Sequence, residues 1–227
     1  GLCVVSTRED VVDLPEDRFP GVEHVSLEHL SPLAGRALLR VGGVHGEDSA
    51  LEQAVRDLNR HALTVRLAGG WLRERGTLDV DALKALPEAG EAPIDRVLDA
   101  WWELLGDGSA RRLLEVMGLF DRPADVAAAQ AAEPGLDVEA GAARLRDVGL
   151  LASWSKHAPQ ELDTHPLVRE HFGSRMQEGA PKPWRERHSR LFEHYQTVAE
   201  KDLPETLAEM EPLFRAVMHG CAAGRHQ

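Results

Sequence analysis

Cysteine is scarce in this 227-residue chain: Cys3 and Cys221 are the only two. They lie 218 positions apart and in no C-x-x-C pair, so no disulfide framework can be drawn through them. Such usage points to a reducing, cytoplasmic setting. No apolar run approaches the roughly 20 residues that a membrane-spanning helix needs. No basic start followed by an apolar stretch marks a signal peptide. Positive charge is also short: 26 Lys and Arg stand against 38 Asp and Glu, a net of −12. That balance argues against a dedicated nucleic-acid binder and against docking on anionic lipid.

Catalytic patterns are missing as well. None of the 11 histidines has a glutamate three residues before it, and there is no His-Glu-x-x-His. His165/His171 and His188/His194 are each six apart, which puts the members of a pair on different sides of a helix. Gly42-Gly43-Val44-His45-Gly46 is glycine-rich but lacks the Gly-Lys-Ser/Thr that holds phosphates, and reads as a helix stop and turn. There is no Gly-x-Ser-x-Gly, and no carboxylate pair stands out. By its residues alone the chain holds no complete active site.

What is present is an ordinary globular composition, 43% apolar. Domains run to roughly 100–200 residues, so the length allows one large unit or two to three small ones. The chain has no initiator Met and opens on Leu2-Cys3-Val4-Val5, which reads as a buried parallel strand. Such a strand needs neighbours, and we expect a piece of a larger protein. Val22 to Leu27 alternates like a second strand.

From Ser31 the period becomes helical. Ser31-Pro32 supplies a cap and first position, and Leu33, Ala37, Leu38 and Val41 share a face. Ser49-x-x-Glu52 fits a capping box ahead of Leu51, Ala54, Val55 and Leu58. Leu63, Leu67 and Trp71 begin another helix, and Asp79 to Leu86 form a short one ended by Pro87. Glu88 to Pro93 reads as a linker. Helices follow over Ile94–Leu105, Arg111–Phe120, from Arg122-Pro123 to about Ala132, and over Val138–Val148. Then Leu150–Trp154 and Glu161–Thr164 suggest two strands around a polar loop, with Pro166 opening a further helix. Helices followed by a β-hairpin is the order of a winged helix. Pro181-Lys182-Pro183 reads as a second linker before helices over Trp184–Glu200 and Pro204–His219. In these, Leu191, Tyr195 and Val198 face one way, as do Leu207, Leu213, Phe214 and Val217. Two helices joined by a short turn suit the first unit of a repeat array.

Three local features carry chemistry. Ser6-Thr7-Arg8 puts a guanidinium at the carboxyl end of a strand, where it either stabilises phosphate charge or is a surface arginine. His165-Pro166 stands at a helix start, where His165 either adds a donor to an anion site or caps and packs the turn. The winged helix could read DNA, but residues 107–179 hold 8 basic against 12 acidic residues, the wrong sign for a duplex.

In this order the features resemble the C-terminal half of the nucleotide-binding module of bacterial STAND signalling ATPases, the NB-ARC type. Val4-Val5-Ser6-Thr7-Arg8 resembles the family's sensor-arginine strand near the γ-phosphate. Val25 to Leu39 resembles its passage from strand into helical subdomain. Asn59-Arg60-His61-Ala62-Leu63-Thr64-Val65 stands where the family has Gly-Leu-Pro-Leu-Ala-Leu, with Arg60 and Ala62 replacing the glycine and the adenine-packing proline. Leu119-Phe120-Asp121-Arg122-Pro123 resembles the start of the winged-helix domain. Leu162-Asp163-Thr164-His165-Pro166-Leu167-Val168-Arg169-Glu170 resembles the His motif, whose histidine contacts the β-phosphate of ADP and holds the resting state closed.

The resemblance implies a mainly α fold. Residues 1–30 would be the last strands of a parallel αβ nucleotide-binding core, 31–91 the helical subdomain, 92–180 the winged helix with its short hairpin, and 181–227 the start of a tetratricopeptide-like region. It implies ADP/ATP as ligand, with Mg in the complete parent, and Thr7, Arg8, Leu63 and His165 as nucleotide contacts. The phosphate-binding loop and the Mg-binding acidic strand would lie upstream of Gly1, so this chain alone would be inactive as an ATPase. Implied partners are that upstream half with its effector domain, a downstream helical sensor, and further copies on activation, with neither membrane nor nucleic acid. The rival readings are a DNA-binding winged-helix regulator and an interaction scaffold with no nucleotide link.

Overall fold

The computed structural model describes residues 3–5, 18–19, 21–24, 29–88, 92–153, 161–199 and 204–225. Their fold is mainly helical. α1 (Pro32–Val41) starts where Ser31 accepts a hydrogen bond from the Ala34 N–H and Pro32 takes the first turn. It stops at Gly42-Gly43, with Gly43 at φ +88°. α2 (Asp48–Asp57) follows, then α3 (Ala62–Glu74) and a 3₁₀ turn over Val80–Ala85 that Asp79 caps. α3 is the central helix: Val65, Leu67, Ala68, Trp71 and Leu72 are all buried. α4 (Pro93–Leu105) packs on it through two reciprocal bonds. Trp71 Nε1 donates to the Ala100 carbonyl at 3.2 Å, and Trp101 Nε1 to the Leu67 carbonyl at 3.1 Å.

α5 (Ser109–Met117), β1 (Ala124–Asp125), α6 (Val126–Ala132), α7 (Val138–Asp147), β2 (Glu161–Leu162) and α8 (Pro166–Gly179) make the second half of the core. α9 (Pro181–Val198) and α10 (Leu207–Ala222) form a closing helical hairpin. One connected apolar cluster runs from Leu39 in α1 to Ala216 in α10.

Several expectations change. Cys3, Val4 and Val5 are exposed and in no strand, and Val22–His24 are not strand either. Thr7, Arg8 and Val25–Leu27 lie outside the described residues. A parallel strand needs a hydrogen-bonded neighbour, and the only sheet among the described residues is the antiparallel pair β1–β2.

The face read for α1 points outward: Leu33 and Val41 are exposed, while Gly35 and Leu39 are buried. The reason is Gly35, where an added Cβ would lie 2.4 Å from Val55 Cγ1. Close backbone approach, not the largest side chains, chose the packed side. On α10 likewise, Leu207, Phe214 and Val217 are exposed, and the helix packs through Ala216, His219 and Gly220. Gly220 lets the ring of Phe192 come close. On α9, Leu191 and Tyr195 are buried, but Val198 is exposed.

Ser49 does not cap α2, which begins one residue earlier with Glu47 at the cap. Residues after Pro123 form β1 before a helix, because Asp125 accepts from the Ala128 N–H and delays the helix start. β2 pairs with β1, with Ala124 opposite Leu162. Of the expected hairpin partner, Leu150–Trp154, Trp154 lies outside the described residues, and the rest is held alongside by the Ala152 N–H to the Asp163 carbonyl at 2.7 Å and Thr164 Oγ1 to the Leu150 carbonyl at 2.6 Å. Pro181 to Pro183 is no linker. These prolines lie in the first turn of α9, where a missing N–H costs no helical bond.

α9 is bolted down by Arg187, which is buried and donates to Glu133 at 2.8 Å, to Glu115 at 2.9 Å and to the Met176 sulfur. Burial would raise the Glu133 carboxyl, but hydrogen bonds from Arg112 and Arg187 outweigh it and hold the group below its ordinary range. Arg187→Met should destabilise by about 2 kcal/mol, less than the 3–5 typical of a stripped buried pair, because Glu133 keeps Arg112. Urea melts of the two proteins check this, and a loss below 0.5 kcal/mol (about the scatter of a surface change) would contradict it.

Candidate functional site

A cavity of about 460 Å³ lies between the start of α3 and the start of α8. Two residues singled out from the sequence meet there. Leu63, half-buried in the first turn of α3, lines one side, and His165, the N-cap of α8, lines the other. They are 102 positions apart in the chain.

The local sequence explains both placements. Asn59 and Arg60 turn the chain with φ of +55° and +54°, and Arg60 is pinned by the Leu30 N–H on its carbonyl at 2.8 Å. Ala62 then opens α3. On the other side, Thr164 is buried and its carbonyl takes two bonds from Arg169, at 2.9 and 2.7 Å. Arg169 also holds Asp163 at 2.8 Å. His165 is therefore displayed on a fixed turn. Its Nδ1 accepts the Leu167 N–H at 3.2 Å, so the capping role is present, and a neutral ring then carries its proton on Nε2. The ring of His61 stands edge-on to it at 6.5 Å.

Three arginines complete the lining: Arg66 and Arg146, which the sequence did not single out, and Arg169, which stands in the His motif without an expected role. Arg66 uses one nitrogen on the Gly149 carbonyl at 2.9 Å. Arg146 reaches the Glu161 carbonyl at 3.3 Å, while its Nε is buried with no partner among the described residues. The one carboxylate in the lining, Asp163, is already held by Arg169. N–H donors thus outnumber acceptors, and the N-terminal ends of α3 and α8 both border the cavity, adding partial positive charge. The chemistry suits an anion of phosphate or carboxylate type. Arg66 and Arg169 had a sequence signal in their helical spacing, three after Leu63 and four after His165. Arg146 had none, since its approach depends on the turn at Gly149.

Mg²⁺ prefers carboxylate and phosphate oxygens. A single carboxylate bound to arginine does not fit it, so the described lining offers no metal position. Among the described residues, no group of three or more His, Cys, Asp and Glu could hold a metal ion. No helix among them is long and apolar enough to cross a membrane. Thr7 and Arg8 lie outside the described residues, so only Leu63 and His165 of the expected contacts are seen together. No protein-family model matches the chain, and no curated protein matches it in sequence.

Proposed function

We propose that this chain is the regulatory switch portion of a signal-transduction ATPase. In this reading the cavity between α3 and α8 takes the phosphate end of ADP in a closed resting state, and nucleotide exchange is coupled to sensor-driven oligomerisation. The observation that supports it most is the convergence of Leu63 and His165, from distant parts of the chain, on one cavity rich in guanidinium donors.

The backbone at the two departures from the family's pattern is compatible with the reading. Arg60 sits at φ +54°, a conformation that glycine adopts without strain, and the family has glycine there. Ala62 is the first residue of α3, the helical position where proline is best tolerated, and the family has proline there. Both backbone positions are ones that glycine and proline could occupy. The DNA-binding rival is disfavoured by α7, the helix a winged helix would offer to a groove. Its Arg144 is paired with Glu74 of α3, and Arg66 of α3 reaches Gly149 just beyond α7.

In this reading Nε2–H of His165 donates to the β-phosphate, while Arg66 and Arg146 offset charge on the same group. A ligand shifts an equilibrium only by its differential affinity for the two states. One hydrogen bond to a charged group is worth about 1.5–3 kcal/mol, so its loss weakens closure roughly ten- to a hundredfold. In the complete parent, His165→Ala should speed ADP dissociation by that factor, measured by release of a fluorescent ADP, and raise signalling. An unchanged dissociation rate ends the reading.

A further inference from the structure

The contact between α9 and α10 holds two titratable groups that the nucleotide reading leaves unused. His188 of α9 and His219 of α10 are the two buried histidines among the described residues, His219 with 0% exposure. Their Nδ1 atoms lie 2.8 Å apart. At that distance one nitrogen donates and the other accepts, so at least one Nδ1 must be bare. Protonating it sets N–H against N–H and removes the bond. Nε2 of His219 is buried as well, with no partner among the described residues.

The surroundings offer an imidazolium little. The Tyr195 ring of α9 stacks on His219 at 5.6 Å, Phe120 from the turn after α5 meets it edge-on at 5.6 Å, and Trp184 covers His188 at 4.2 Å. Asp121 in the α5–β1 turn is bonded by Arg122. On α10, Glu211 is shared by Arg122 and Arg215, and Arg215 also donates to the Tyr195 hydroxyl at 3.2 Å. From α8, Arg169 and the exposed Glu170 line the shallow cavity onto which His188 opens. Asp125 at the start of α6 accepts the Ala128 N–H, the other nearby carboxylates except Glu170 are held by arginines, and Arg215 adds repulsion. Burial drives both rings down, His188 to about 4 and His219, with help from its neighbour, to about 3.

We propose that α10 is a proton-released helix: protonation of the His188–His219 pair undocks α10 from α9 while α1 to α8 stay folded. The effect is local because no other described histidine is buried. His171 is only partly buried and lies between the carboxylates of Asp95 and Asp99, at 3.0 and 3.2 Å. The sign follows from linkage. Released rings take protons near pH 6.5 and docked rings do not, so docking is complete above that value and weakens as pH falls from 6.5 toward about 4 for His188 and about 3 for His219. The device is independent of the nucleotide reading.

Hydrogen exchange on the full chain tests it. Between pH 7.5 and 5.0 two protons bias the released form by about a thousandfold. Protection factors in α10, corrected for intrinsic rates, should fall by that much relative to α3–α5. The double variant His188→Asn/His219→Asn keeps an amide bond at the Nδ1 positions without titrating, and should cut the drop below tenfold. Equal loss in α3–α5, no loss in α10, or an undiminished drop in the double variant overturns the proposal. If that variant does not fold, ring ¹³C shifts of the unaltered protein decide: both rings neutral at pH 5 in the docked form supports it, and midpoints near 6.5 overturn it.

Discussion

Trp101→Ala is expected to lower the free energy of unfolding by about 4 kcal/mol, the middle of the range for deleting a large buried ring. Trp101 is fully buried, and its indole N–H satisfies the Leu67 carbonyl inside α3. The deletion removes both the ring and the donor, and Trp71, which bonds back to α4, cannot move to fill the gap without giving up its own partner. Trp101→Phe is the milder change, because it keeps the six-membered ring and loses only the pyrrole part of the indole with its hydrogen bond, for about 1–3 kcal/mol. Urea titrations followed by far-ultraviolet circular dichroism give both numbers. A Trp101→Ala loss below 1 kcal/mol would mean that α3 and α4 are not joined as described. The site should register the change too, since α3 carries Leu63 and Arg66.

The second large effect comes from a side chain added rather than removed. At Gly173 in α8 a Cβ would lie 2.5 Å from the Gly118 carbonyl oxygen, and at Gly118 it would lie 2.4 Å from the Gly173 nitrogen. Alanine at 173 gains up to about 1 kcal/mol from helix propensity. The steric term opposes it and wins, because the obstacles are backbone atoms that no rotamer change can clear. Gly173→Ala should therefore cost about 3 kcal/mol, the upper end for overpacking. Gly179→Ala, at the open end of the same helix with nothing within 4 Å, should be neutral or slightly stabilising. Thermal melts of the pair distinguish the cases, and equal melting temperatures would contradict the close contact.

Helix starts were the most legible part of the sequence. Ser31-Pro32 and His165-Pro166 mark real first turns, because proline's fixed φ and missing N–H suit that place, whereas Pro93, read as the end of a linker, opens α4. Packed faces were less legible where glycine sets them. Gly35 and Gly220 contribute no hydrophobicity to a periodic pattern yet decide which side of α1 and α10 meets its neighbour. A two-residue strand such as β1 has no period to detect, so its pairing with β2 had to come from the fold. At the cavity, His165 and Leu63 were reachable through their motifs. Arg146 was not, because only the tertiary turn at Gly149 brings it to the others.

Ala180 ends α8 and begins α9 at once, with φ −143° and ψ 62°. Two helices of 14 and 18 residues therefore meet at a single residue, and Arg187 of α9 clamps them together through Met176 of α8. α9 is about 27 Å long, so a torsion of about 10° at that joint sweeps its far end through about 5 Å. His165 stands at the start of the other arm, about 21 Å from that joint, so the two arms are of similar reach and a shift of about 1 Å at the cavity carries to the α9–α10 hairpin as about 1.3 Å.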